Sequence, residues 1–150
     1  MIWTTHLAFG FLAALLTKNL VSTGNIYVFF ALVLLGSIMP DVDQPNSKFN
    51  QTLKITKIIG YIFKHRGVFH TLLFALLLPG LVYFFIGKSY GTALFIGYLS
   101  HLLIDGLTVA GVDLLHPLAK FRISGFVETG TISEKITLIL IIALIIIELL

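Results

Sequence analysis

Charged residues are missing from long stretches of this chain, and that absence constrains the fold more than any other feature. Residues 1–17, 19–40, 67–87 and 89–104 contain no Asp, Glu, Lys or Arg, and a fifth run, 136–147, is almost pure Ile and Leu. Across 150 residues there are 10 basic and 7 acidic side chains, or 11% charged, against 57% hydrophobic. A soluble domain carries about 25% charged residues. So few charges cannot coat a globule in water, which excludes disorder, a collagen-like fibre and a conventional soluble enzyme. A membrane-spanning helix uses about 20 apolar residues. The pattern therefore predicts an all-α, polytopic integral membrane helix bundle in a single domain, 1–150. About five transmembrane helices are expected, near 2–17, 25–39, 67–87, 89–106 and 132–149.

Two segments read differently. In residues 48–64, Ile55, Ile58, Ile59 and Ile62 recur at helical spacing among Lys48, Lys54, Lys57 and Lys64. That pattern predicts an amphipathic interfacial helix on an anionic leaflet, with a basic loop as the plainer alternative. Residues 106–132 mix polarity and glycine and read as a loop or a partly re-entrant segment. Pro79 falls inside the third run and predicts a kink. Five spans would gather most Lys and Arg on one side, leaving Lys18 and Lys88 on the other. The positive-inside rule then puts the N-terminus in the cytoplasm. Residues 1–17 lack the basic start and small-residue cleavage site of a signal peptide, so they read as a retained helix. The basic excess reads as topology, and no nucleic acid is expected as a partner. The oligomeric state is left open.

The histidines and aspartates carry the chemistry. With no cysteine, a metal would need nitrogen and oxygen ligands. On the expected topology all five His and all four Asp fall on the cytoplasmic side. A His or Asp in an apolar helix is expensive unless it is paired, hydrated or bound to metal. His101 and Asp105 are four apart and share a helical face. Asp41-x-Asp43 after Pro40 places two carboxylates on a short turn. Seven candidate metal ligands result: His6, Asp41, Asp43, His65, His70, His101 and Asp105. They suit a divalent metal, zinc first, with manganese or iron as alternatives, and one to three ions. Each residue also has a plainer reading: His6 as a structural interface residue, the two Asp as helix-end solvation, His65 as part of a basic interface. Asp113 and His116 read as structural loop residues.

Thr5 to Gly10 (T-H-L-A-F-G), Pro40 to Asp43 (P-D-x-D), His65 to Thr71 (H-R-G-x-x-H-T) and Ser100 to Asp105 (S-H-x-x-x-D) together resemble the YdjM-like family of small membrane-bound metal-dependent hydrolases. The resemblance runs from about residue 4 to residue 118 and includes Gly111 to Pro117. It implies metal binding through His6, Asp41, Asp43, His65 or His70, His101 and Asp105. It also implies a distant similarity to the zinc phospholipase C and P1 nuclease group, where a His and an Asp four apart on one helix serve clustered zincs.

The reading that follows is a metal-dependent hydrolase of the inner membrane, acting on a phosphoester such as a phospholipid or lipid-linked phosphate at the cytoplasmic face. Asp43 or Asp41 would act as general base on a water. Arg66, beside His65, has a guanidinium fork that fits phosphate, although it also reads as a positive-inside anchor. Lipid is then both environment and substrate. Two rivals use the same residues: a metal-ion or proton transporter, and a non-enzymatic membrane protein whose metal staples helix ends. A through-path would need ionisable groups along the whole bundle, and the outer halves of the runs have almost none.

Overall fold

The computed structural model describes residues 1–21, 25–43 and 69–150, with the side chains of Val42 and Asp43 left aside. Among the described residues five helices dominate. They are α1 (Trp3–Thr17), α2 (Ile26–Ile38), α3 (Leu72–Phe85), α4 (Lys88–Gly106) and α5 (Ile132–Leu149). A 3₁₀ turn, Met39–Asp43, continues α2. Two short strands, β1 (Val112–Asp113) and β2 (Arg122–Ile123), pair antiparallel with Val112 opposite Ile123. The expected interfacial segment 48–64 lies outside the described residues, as do His65 and Arg66.

The helices begin where local chemistry allows, not where charge disappears. The Asn25 side chain accepts a hydrogen bond from the Tyr27 N–H at 2.9 Å and opens α2. Thr71 accepts from the Phe74 N–H at 3.3 Å and opens α3. Both are ordinary N-cap residues. The uncharged runs 19–40 and 67–87 therefore include turn as well as helix, and the helices within them are shorter than the runs.

This overturns the expected membrane-spanning bundle. Among the described residues no helix is long and apolar enough to cross a membrane. The 15, 13 and 14 residues of α1, α2 and α3 measure roughly 20–22 Å at 1.5 Å per residue, against a hydrocarbon core of about 30 Å. The longer α4 has 19 residues but includes Lys88, His101 and Asp105. The 18 residues of α5 include Glu134, Lys135 and Glu148.

Helix α4 is the centre of the arrangement. It packs against α1, α2 and α3, while α5 lies on α1. Gly97 and Gly36 make the closest of these contacts. A Cβ on Gly97 would run into the Val33 carbonyl oxygen, and one on Gly36 into that of Leu94. Without side chains there, the α2 and α4 backbones touch, as small residues permit. Three apolar clusters fill the interior: Ala14, Phe29, Val33 and Ala93; Leu12, Ile104 and Ile141; Ala75, Tyr98 and Leu102.

The outside is also apolar. Leu77, Phe84 and Phe85 of α3 and Ile136, Ile139 and Ile147 of α5 are exposed. Exposed apolar surface on this scale marks contact with a membrane or another protein. Residues 107–131 form a surface loop built on the β1–β2 pair. It is fastened to α3 by the Leu72 N–H, which donates to the Leu114 carbonyl at 2.9 Å.

Candidate metal centre

Five of the seven candidate ligands meet. His6 comes from the first turns of α1, Asp41 from the 3₁₀ turn, His70 from the turn before α3, and His101 and Asp105 from the last turns of α4. Each is positioned by a local cause. Pro40 ends α2 and turns the chain so that Asp41 follows at once. The turn holding His70 is fixed on both sides: the Tyr98 hydroxyl donates to the Phe69 carbonyl at 2.5 Å, and Leu72 is tied to Leu114. The glycine-mediated approach of α2 to α4 brings the Ser37 carbonyl 2.7 Å from His101 Nδ1.

That last bond sets the chemistry of His101. Among the described residues only its Nδ1 faces a backbone carbonyl, so Nδ1 carries the proton and donates. Nε2 is left with its lone pair directed into the cluster. A backbone partner on one ring nitrogen is the usual way a metal-ligating His is oriented. Nε2 of His101 lies 3.3 Å from Nε2 of His70, 3.5 Å from Asp105 Oδ2 and 3.8 Å from Asp41 Oδ1. Nε2 of His70 is 3.6 Å from Asp41 Oδ1 and 3.8 Å from Asp105 Oδ2. Nε2 of His6 is 3.3 Å from Asp105 Oδ1 and 3.8 Å from Asp41 Oδ2. Each carboxylate therefore turns one oxygen to His6 and the other to the His70 and His101 pair. The His6 ring stacks on that of His101, with centroids 3.8 Å apart and planes 8° from parallel.

A divalent ion fits this donor set. Bonds of 2.0–2.1 Å in tetrahedral geometry separate ligand atoms by about 3.3 Å, and the separations here run from 3.3 to 3.8 Å. Two triads have all their donor atoms within 4.8 Å of one another: His6, Asp41 and His101, and His70, His101 and Asp105. His6 is fully buried, and neither ring nitrogen has a hydrogen-bond partner among the described residues. A buried, unsatisfied polar group costs about 1–3 kcal/mol, and a metal ion on Nε2 would remove that cost at this nitrogen.

The electrostatics agree. Burial by itself would raise the Asp41 carboxyl, but the adjacent His70 imidazole and the charge of His101 and His6 bring it below its ordinary value. At Asp105 burial also works upward and is outweighed by His101 and His6, so this carboxyl is held well below the usual range. Burial, followed by the neighbouring His6, pushes the His101 imidazole down to about 4. Anionic carboxylates beside a neutral imidazole are the protonation states that bind a cation. The Met1 ammonium also donates to Asp105 Oδ1 at 2.6 Å.

The Asp43 side chain, His65 and Arg66 lie outside the described residues. Asp113 is exposed on β1, and neither it nor His116 joins either triad. Sequence reasoning set the glutamates apart from the site and so missed Glu134. That residue is buried, and its Oε1 accepts from the Ile2 N–H at 2.6 Å and the Thr5 hydroxyl at 2.9 Å, beside His6. The only signal was Thr131-x-x-Glu134, the pattern of a capping box, which points to the start of α5 and not to α1.

The family model described as YdjM inner membrane protein matches residues 1–149. Inner membrane protein YdjM of Escherichia coli (strain K12) is 36% identical over 131 residues, covering 79% of this chain and 67% of that protein. YvsG of Bacillus subtilis (strain 168), described as an uncharacterized protein, is 34% identical over 112 residues, covering 69% of this chain and 67% of YvsG. No solved structure matches. These matches support an inner-membrane location. They do not show hydrolase activity or a likeness to the zinc phospholipase C and P1 nuclease group. With a family model spanning almost every residue, and relatives above 30% identity aligned over two thirds of their length, the chain belongs to the YdjM inner membrane protein family.

Proposed function

We propose that this chain is a metal-dependent hydrolase of phosphoesters at the inner membrane, with a phospholipid or lipid-linked phosphate as substrate. The observation that carries the reading is the convergence of His6, Asp41, His70, His101 and Asp105 with metal-ligand spacing and an unsatisfied buried His6. These five residues would hold a divalent ion, zinc first among the candidates for an all-nitrogen-and-oxygen site. When bound, such an ion supplies hydroxide at neutral pH and draws charge from a phosphoryl oxygen. Each carboxylate spans the cluster, one oxygen toward His6 and the other toward His70 and His101, an arrangement that also suits a pair of ions.

The chain's own groups do the rest. Asp41, which is partly buried, would accept a proton from an attacking water. Asp43, on the same turn, is the alternative base. Arg66 and His65 are the sequence's candidates for contact with the phosphate, through the planar guanidinium fork. Lipid as substrate is supported by the family's inner-membrane description and by the exposed apolar faces of α3 and α5. Lys120 and Arg122, exposed on the loop that follows Asp105, would favour an anionic, cytoplasmic leaflet.

The test is turnover. Purified protein loaded with zinc or manganese should hydrolyse phosphoesters from a panel that includes phospholipids, and the Asp41→Asn variant should lose most of that rate and bind metal more weakly. Metal binding without turnover on any phosphoester would leave a structural staple and remove the enzyme reading.

A further inference from the structure

Glu134 is a buried carboxylate that the proposed chemistry does not use. It sits in the first turn of α5, 2% exposed. Among the described residues its hydrogen bonds all reach main chain or hydroxyl groups outside its own helix. Oε1 accepts from the Ile2 N–H at 2.6 Å and the Thr5 hydroxyl at 2.9 Å, and Oε2 accepts from the Gly130 N–H at 2.7 Å. Ile2 is the N-cap of α1 and provides no side-chain cap of its own. The first N–H groups of a helix have no intrahelical partner, so Glu134 satisfies one of them from a distant part of the chain.

The place of this contact matters. Thr5 is buried and immediately precedes His6. The same first turn is closed by the Thr5 and His6 N–H groups, which both donate to the Ile2 carbonyl. One carboxylate oxygen therefore grips the first turn of α1 at two points, one on each side of Trp3 and Thr4, and the next residue carries the imidazole stacked on His101. The hydrogen bonds fix both the rotation of α1 and its depth.

We infer that Glu134 is a positioning residue of the metal centre: by holding Ile2 and Thr5 it sets where His6 Nε2 stands relative to Asp41 and Asp105. This rests on the reading of the cluster as a metal site. Ligand distances at such sites hold to within about 0.2 Å, so a small rotation of α1 removes His6 from coordination. Loss of a group hydrogen-bonded directly to a metal ligand weakens binding about 10- to 100-fold; Glu134 reaches His6 only through Ile2 and Thr5, so the lower end of that range is expected. Because Glu134 acts through His6, its effect disappears once His6 is gone.

The experiment is a double-mutant cycle on zinc affinity, measured on the full chain by competition with a chromophoric chelator, with cobalt spectra as a second readout. Glu134→Ala should weaken zinc about tenfold and shift the cobalt ligand-field bands in the same direction as His6→Ala. The double variant should match His6→Ala alone. Glu134→Gln should fall between wild type and Glu134→Ala, because its amide carbonyl keeps the bonds to Ile2 and Thr5. If Glu134→Ala does not fold, Glu134→Gln and Thr5→Val carry the same cycle. Wild-type affinity and spectrum in the Glu134 variants, or a loss that adds in full to that of His6→Ala, would overturn the inference while leaving the metal reading intact. A wild-type chain that binds no zinc would remove the metal reading, and this inference with it.

Discussion

The two halves of α4 have opposite surroundings. Toward its start, Gly91, Thr92 and Phe95 join Leu76, Pro79 and Tyr83 of α3 around an apolar cavity of about 270 Å³. Toward its end, Ser100, His101 and Asp105 are buried among other polar groups. Leu94, Tyr98 and Leu102 continue the same apolar packing through both halves, so the helix is one scaffold with chemistry at one end. After Lys88, no ionisable residue of α4 precedes His101 except tyrosines. A transport path would need polar groups along the full length. The contrast favours a site that works at one end of the bundle.

The comparison can be broken most directly at the polar end. Replacing His101 or Asp105 with Ala removes a donor that enters three of the seven short distances in the cluster, and zinc affinity should fall by about 100-fold in a chelator competition. A variant that keeps wild-type affinity would show that the cluster is not the binding site. Gly97→Ala tests the scaffold between the halves. Its added Cβ meets the Val33 carbonyl, so α2 must shift, at a cost of about 1–3 kcal/mol in thermal unfolding. The Ser37 carbonyl would move from His101 Nδ1, and metal affinity should drop with stability.

The pH dependence of the metal-free protein sharpens the same contrast. His101 is pushed down to about 4 from an unfolded value of 6.5, chiefly by burial. Between those values the unfolded chain binds the proton more readily than the folded one. Stability is therefore fully present above 6.5 and is lost as pH falls toward 4. Asp41 and Asp105, both lowered, extend the loss below 3.8. Unfolding midpoints measured from pH 7 to pH 4 should fall, and a His101→Ala variant should fall less over this window. The smallest effect belongs to the apolar end. Gly80 lines the cavity with open space where a Cβ would be, so Gly80→Ala should stabilise α3 by about 0.5–1 kcal/mol and leave zinc affinity unchanged.

The sequence made the polar end legible because each of its residues is anomalous where it stands. His101 and Asp105 lie four apart in an apolar helix, and Asp41 follows a proline that ends another. His70 gave no periodicity with His65, and its link to His101 depends on a turn held by Tyr98 and Leu114, which no local pattern records. The membrane-spanning bundle was misread for a physical reason. An absence of charge does not distinguish helix from turn, and the caps at Asn25 and Thr71 shorten α2 and α3 well within their uncharged runs. Glu134 was hidden for the opposite reason: its local pattern explains it fully as a helix start, while its bonds reach about 130 residues back along the chain.

The central claim is that His6, Asp41, His70, His101 and Asp105 form one metal centre. Elemental analysis of purified wild-type protein and of His101→Ala, each prepared without chelator and then loaded with zinc and desalted, tests it most directly. At least one tightly held divalent ion per wild-type chain is expected, and none in the variant. Wild-type protein that retains no ion after loading, or a variant that retains as much, would contradict it.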